Sequence, residues 1–166
     1  VNLDRAHPTR TVAVVNTTPN PTGEMIRNNT ILFPTESSIR RNIDPYTQAA
    51  QNVYVDAGTI AEGLFGDHMA TNLFMLGLAY QAGLIPLAAA SIEQAIALNG
   101  VAVQQNQQAF RYGRRYVCAP QAVLNLAVPA LKNLHEERAA MLFYLEEQYG
   151  KAAREAYFYL LKRCEH

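Results

Sequence analysis

The chain has 166 residues, long enough for one domain with a sizeable core, and 49% of them are hydrophobic. Its 14 Lys and Arg balance 14 Asp and Glu, so no general attraction to nucleic acid or to an anionic membrane is expected. Two cysteines, Cys118 and Cys164, exclude a disulfide framework and a cysteine-only zinc or iron–sulfur site within the chain, and suit a reducing, cytoplasmic setting.

The chain opens Val1-Asn2-Leu3 without an initiator methionine, so a fragment or one piece of a longer polypeptide is expected. "TVAVVNT" (11–17) is β-branched and apolar on both faces, the pattern of a buried strand in a parallel sheet. A loop punctuated by Pro and Gly follows, "PNPTGE". "ILFP" (31–34) reads as a short strand or an extended segment, and 36–50 as a short polar helix interrupted by Pro45. "NVYVDA" (52–57) is a second apolar strand, and "GTIAEGLFG" (58–66) a short helix at its carboxyl end. This is the grammar of an open, mostly parallel α/β sheet. The Asn-x-Thr sequences at Asn16 and Asn28 read as chance occurrences in a chain with no signal peptide.

Beyond Gly66 the pattern is helical to the end. Asp67 is placed as the N-cap of a helix over 67–82, apolar nearly all round and therefore expected to be covered on all sides. Gly83 ends it, Pro86 opens the next helix, and Asn99-Gly100 closes that one. The segment between is too interrupted by Gly and Pro to span a bilayer. In the helix over 101–116, Ala102, Asn106, Ala109, Phe110 and Gly113 form one stripe, which predicts a buried, hydrogen-bonded Asn106. Pro129 is expected to kink or end the next apolar run, with Asn133 and Glu136 as a capping box for the helix after it. Two amphipathic helices then complete the chain.

Two or three short strands do not make a stable doubly wound sheet. The fold class expected is α/β, a partial Rossmann-like parallel sheet followed by a helical region. The chain reads as the second half of a layer over 1–117 and a helical extension over 118–166. Part of the apolar surface of strand 11–17 and helix 67–82 should then meet another domain or subunit.

Chemical motifs are sparse. "HEER" (135–138) lacks the second histidine of a zinc protease, the four histidines show no ligand spacing, and there is no nucleophile elbow or Walker loop. "FRYGRRYV" (110–117) mixes arginines with aromatics, but the neutral total charge favours a helix end over a nucleic-acid surface. Thr22, Gly23 and Glu24 follow the first strand at its carboxyl end, where open α/β sheets bind ligands; an ordinary turn is the plainer reading of the same residues. Asn72 opens the apolar part of its helix and joins them as a candidate on the substrate or CoA side. Asn99 and Asn106 are structural candidates, and no catalytic residue or metal ligand is assigned.

"AVVNTTPNPTGEMIRN", "VDAGTIAEGLFGDHMATNLFMLGLAYQAGLIPL" and "SIEQAIALNGVAVQQNQQAFRYGRR" together resemble the gamma-type domain of 2-oxoacid:ferredoxin oxidoreductases. The likeness is strongest to the fused indolepyruvate type, and the tail is similar, more loosely, to the helical segment that follows this domain there. The resemblance implies part of an enzyme that decarboxylates a 2-oxoacid oxidatively to an acyl-CoA and passes electrons to ferredoxin. Thiamine diphosphate, magnesium and iron–sulfur clusters are then expected on partner domains and none on this chain. Partners would be those domains, with ferredoxin indirectly and CoA as a further candidate. The alternative is a non-catalytic packing or interaction module of a larger assembly. The glycine-rich loop with which such domains open is absent, and Ala88 stands where the family has a capping Ser.

Overall fold

The computed structural model describes residues 3–20, 22–28 and 30–164, with side-chain surroundings for all of them except 128–136, 148 and 158–164. Two strands, β1 (Val14–Asn16) and β2 (Val53–Val55), pair in parallel, with Val14 beside Val53 and Asn16 beside Val55. Between them lie α1 (Gly23–Arg27) and α2 (Glu36–Ile43), followed by a tight turn at Asp44–Tyr46 that places Pro45 at a helix start. Residues 31–34 do not enter the sheet. The fold is α/β, as the alternation of strand and helix patterns predicts.

Helix α3 (Ala57–Phe65) begins at once from the carboxyl end of β2. Asp56 caps it by accepting from the Thr59 amide, and Gly66, at φ 79°, ends it in the left-handed conformation that glycine adopts without steric cost. Next come α4 (Thr71–Gln81), α5 (Ala89–Asn99) and α6 (Val103–Cys118). Asp67 is not the N-cap of α4. It closes a turn by accepting from Met69 N at 2.8 Å, and the helix starts at Thr71. Pro86 likewise precedes the helix without opening it; Ala88 is the N-cap of α5 and offers no side-chain bond there.

Helix α7 (Pro120–Tyr149) runs unbroken past Pro129, so no helix starts at Asn133; the side chains of the expected Asn133–Glu136 box lie outside the described residues. Helix α8 (Lys151–Cys164) follows Gly150.

The main core gathers Val55, Ala57 and Ile60 with Phe74 and Leu78 of α4 and Val123 and Ala127 of α7. Phe74 and Leu78 are fully buried, and no large apolar side chain of α4 is exposed. Leu73, Met75, Leu76 and Tyr80 are half-buried, and Met69, within the range 67–82 read from the sequence, is 82% exposed, so much of this helix is covered within the chain and part of its surface is left for a neighbouring domain. Helix α6 packs along it at backbone contact distance, which only small residues permit. A Cβ on Gly77 would overlap the Phe110 carbonyl, and one on Gly113 the Phe74 carbonyl. Uncovered apolar side chains among the described residues include Leu84, Leu87, Leu98 and Val101 around α5, Leu32 and Met69 before α4, and Phe143 and Tyr149 on α7.

Candidate functional site

The carboxyl ends of β1 and β2 are joined by three side chains. Asn16 Oδ1 accepts from the Thr18 amide at 3.1 Å and from the Ala57 amide at 3.0 Å. Thr18 Oγ1 accepts from the Gly58 amide at 2.7 Å and lies 2.6 Å from both Asn16 Oδ1 and Asp56 Oδ1. Asp56 Oδ1 accepts from the Thr59 amide at 3.1 Å. The first three amides of α3 thus each meet an oxygen from the chain itself. Those amides are the groups that point at an anion when a helix of an open α/β sheet binds phosphate. One hydroxyl proton serves two acceptor oxygens, so the cluster is electron-rich.

Gly58 makes the approach possible. A Cβ there would lie 2.6 Å from Thr18 Cγ2. On the other side of the same residue, His68 Nδ1 sits 3.2 Å from the Gly58 carbonyl, which fits an Nδ1–H donor. His68 Nε2 is 3.6 Å from Glu62 Oε2, a contact that becomes an ion pair only when the ring is protonated.

A second polar cluster closes the amino ends of the strands. Asn52 Oδ1 accepts from the Ala13 amide at 2.8 Å, continuing the ladder beyond β1. Its Nδ2 donates to Asp44 Oδ1 and to Thr47 Oγ1, each at 2.7 Å. Tyr54 donates its hydroxyl to the same Asp44 oxygen at 2.7 Å, and Arg40 lies 3.9 Å above the Tyr54 ring. The hydrogen bond from Tyr54, helped by that from Asn52, holds the Asp44 carboxyl below the usual carboxylate range. Burial, reinforced by the Asp44 acceptor, pushes the Tyr54 phenol up to about 12.

The residues singled out in the sequence are dispersed. Thr22 caps the five-residue α1 through a long bond from Met25 N, 3.4 Å, and Thr22, Gly23 and Glu24 are all exposed. Asn72 is exposed on the first turn of α4. Asn99 is the exposed last residue of α5, where Gly100 takes the left-handed cap position. Asn106 is half-buried and not fully buried as predicted, because its position on α6 lies beside the α5–α6 turn. It donates to the Val101 carbonyl at 2.9 Å and so braces Ala102, a non-glycine residue at φ 42°.

Sequence reasoning passed over Asn16, Thr18, Asp56 and Asn52. The signal available was positional: each is a short polar residue immediately outside or ending an apolar strand, where a backbone ladder runs out of partners. The Asn-x-Thr sequences have a local role as well. In both, the asparagine oxygen accepts from the threonine amide and hydroxyl two residues on.

Among the described residues, no group of three or more His, Cys, Asp or Glu is placed to hold a metal ion, and no helix is long and apolar enough to cross a membrane. Residues 6–116, about two thirds of the chain, match the sequence model of a family described as pyruvate ferredoxin/flavodoxin oxidoreductase. No curated protein and no solved structure matches the chain.

Proposed function

The chain belongs to the pyruvate ferredoxin/flavodoxin oxidoreductase family, and from that membership we propose that it is a supporting, gamma-type domain of an enzyme that oxidises a 2-oxoacid. In the reaction a 2-oxoacid and CoA give an acyl-CoA and carbon dioxide. The electron pair released passes as single electrons to two ferredoxins, and the thiol proton is released. An indolepyruvate-type substrate is the finer reading, and it rests on the sequence blocks quoted above.

The family match over residues 6–116 carries this proposal. It covers both strands, α3, and the α4–α6 pair. We divide the chain there, with 1–117 as the later part of the family domain and 118–166 as a helical extension. Thiamine diphosphate, magnesium and clusters, which supply the carbanion and electron chemistry in such enzymes, are assigned to neighbouring domains. This chain's own residues shape and brace. Thr22, Gly23, Glu24 and Asn72 are exposed and are assigned to the side that faces the substrate- or CoA-carrying neighbour. Asn99 and Asn106 are assigned structural roles at the ends of α5 and α6.

A purely packing role within the same assembly is the second reading. The inward-turned hydrogen bonds at both ends of the sheet favour it, since they leave the polar groups there engaged with one another.

The test is purification of the complete natural enzyme that contains this chain, assayed for CoA-dependent reduction of a viologen dye. Reduction with indolepyruvate in preference to pyruvate is expected. Reduction with pyruvate alone removes the finer substrate reading. No reduction with any 2-oxoacid by an enzyme carrying its full complement of clusters overturns the proposal.

A further inference from the structure

We infer that the carboxyl end of this chain's sheet is closed to phosphate-bearing ligands, its anion position being filled by Asn16, Thr18 and Asp56. In open α/β sheets ligands gather at the carboxyl ends of the strands, where a following helix offers free amides and a partial positive charge. Here the helix is α3, and its amides are spent. Ala57 N is bound to Asn16, Gly58 N to Thr18 and Thr59 N to Asp56, while Ile60 N reaches the Asp56 carbonyl at 3.3 Å.

The cluster is also built against an anion. Asp56 places its carboxyl group at the helix start, where the dipole favours negative charge and where a phosphate would otherwise sit. Thr18 and Asn16 add two more oxygens within 2.6 Å of one another. Gly58 is shaped to the Thr18 side chain, since a Cβ would strike it. A phosphate entering here would have to break three hydrogen bonds and face a carboxylate.

This deepens the proposed function by assigning the diphosphate of CoA to another part of the enzyme. It holds for this chain whatever reaction the assembly performs.

Amide spectra of the 15N-labelled chain during titration with pyrophosphate, then with CoA, test it directly. The Ala57, Gly58 and Thr59 resonances are expected to stay in place throughout. Saturable shifts confined to those three amides overturn the inference, and leave the 2-oxoacid reading intact because no activity is measured. Hydrogen exchange supplies the second readout. In Thr18→Ala the Gly58 amide should exchange about tenfold faster, the equivalent of one hydrogen bond, while Thr18→Ser keeps its protection. Unchanged Gly58 exchange in Thr18→Ala would show that the hydroxyl does not fill the position. Should Thr18→Ala fail to fold, the wild-type titration and the Ser variant still decide.

Discussion

Gly77 and Gly113 face each other's helix across the α4–α6 crossing. Each lies where a side chain would run into a carbonyl of the opposite backbone: Phe110 for Gly77 and Phe74 for Gly113. Two helices otherwise carrying Phe74, Leu78, Ala109 and Phe110 can approach this closely only because both crossing positions lack a Cβ. The obstruction is backbone, which cannot rotate away as a flexible side chain can.

Gly77→Ala and Gly113→Ala should therefore each destabilise by about 1–3 kcal/mol or more, despite the better helix propensity of alanine. The double variant should cost less than the sum of the two, because one separation of the helices relieves both clashes. Urea unfolding of the two single variants and the double variant checks both statements.

The two apolar helices should respond very differently to substitution. Phe74→Ala empties a fully buried site and should cost about 3–5 kcal/mol. Leu98→Ser, at a residue 81% exposed on α5, should change stability by no more than about 0.5 kcal/mol. A large loss from Leu98→Ser in thermal unfolding would show that α5 is covered after all.

Ala102 holds a left-handed conformation at φ 42° just before α6. Such a conformation costs a residue with a Cβ about 1–2 kcal/mol, and glycine escapes it while raising the entropy of the unfolded chain, which offsets part of the gain. Ala102→Gly should raise stability by up to about 1 kcal/mol. Asn106→Ala removes the bond to the Val101 carbonyl and should lower it by about 0.5–1.5 kcal/mol. Midpoints of denaturant unfolding report the opposite signs.

The Asp44–Tyr54 pair predicts how stability varies with pH. Asp44 titrates lower in the folded chain than unfolded, chiefly through the Tyr54 hydrogen bond. Its contribution is present above the ordinary carboxylate range and lost as pH falls through the depressed folded value. Tyr54 titrates higher when folded, at about 12. Its contribution is complete below about 10 and lost as pH rises toward the folded value. Tyr54→Phe should weaken both dependences, and difference absorption of tyrosinate between parent and variant follows the alkaline one.

Periodicity and punctuation carry much of this fold. The β-branched run at 11–17, the apolar run at 52–57, the helix that follows it and the stripe of Ala109, Phe110 and Gly113 are local patterns, readable because a strand repeats every second residue and a helix every 3.6. Helix starts were less legible: Asp67 has the chemistry of a cap, yet local turn bonds at Met69 and Thr71 delay the helix by four residues. At Pro129 the opposite holds for one of the two expected outcomes, since α7 does not end there but continues through it. For the clusters at the sheet ends only the position of short polar residues beside the strands was legible; their pairing was not, because the oxygen of Thr18 and the amide of Gly58 are forty positions apart and meet only once β1 and β2 have paired in register.

By itself, then, the sequence determined the family, the α/β class and the apolar character of α4, all of which depend on residue types in local order. The tertiary structure alone decided what covers α4 and what fills the start of α3. Both outcomes rest on distances between segments remote in the chain: the helix separation set by Gly77 and Gly113, and the strand pairing that brings Asn16 and Thr18 to the amides of Ala57 and Gly58.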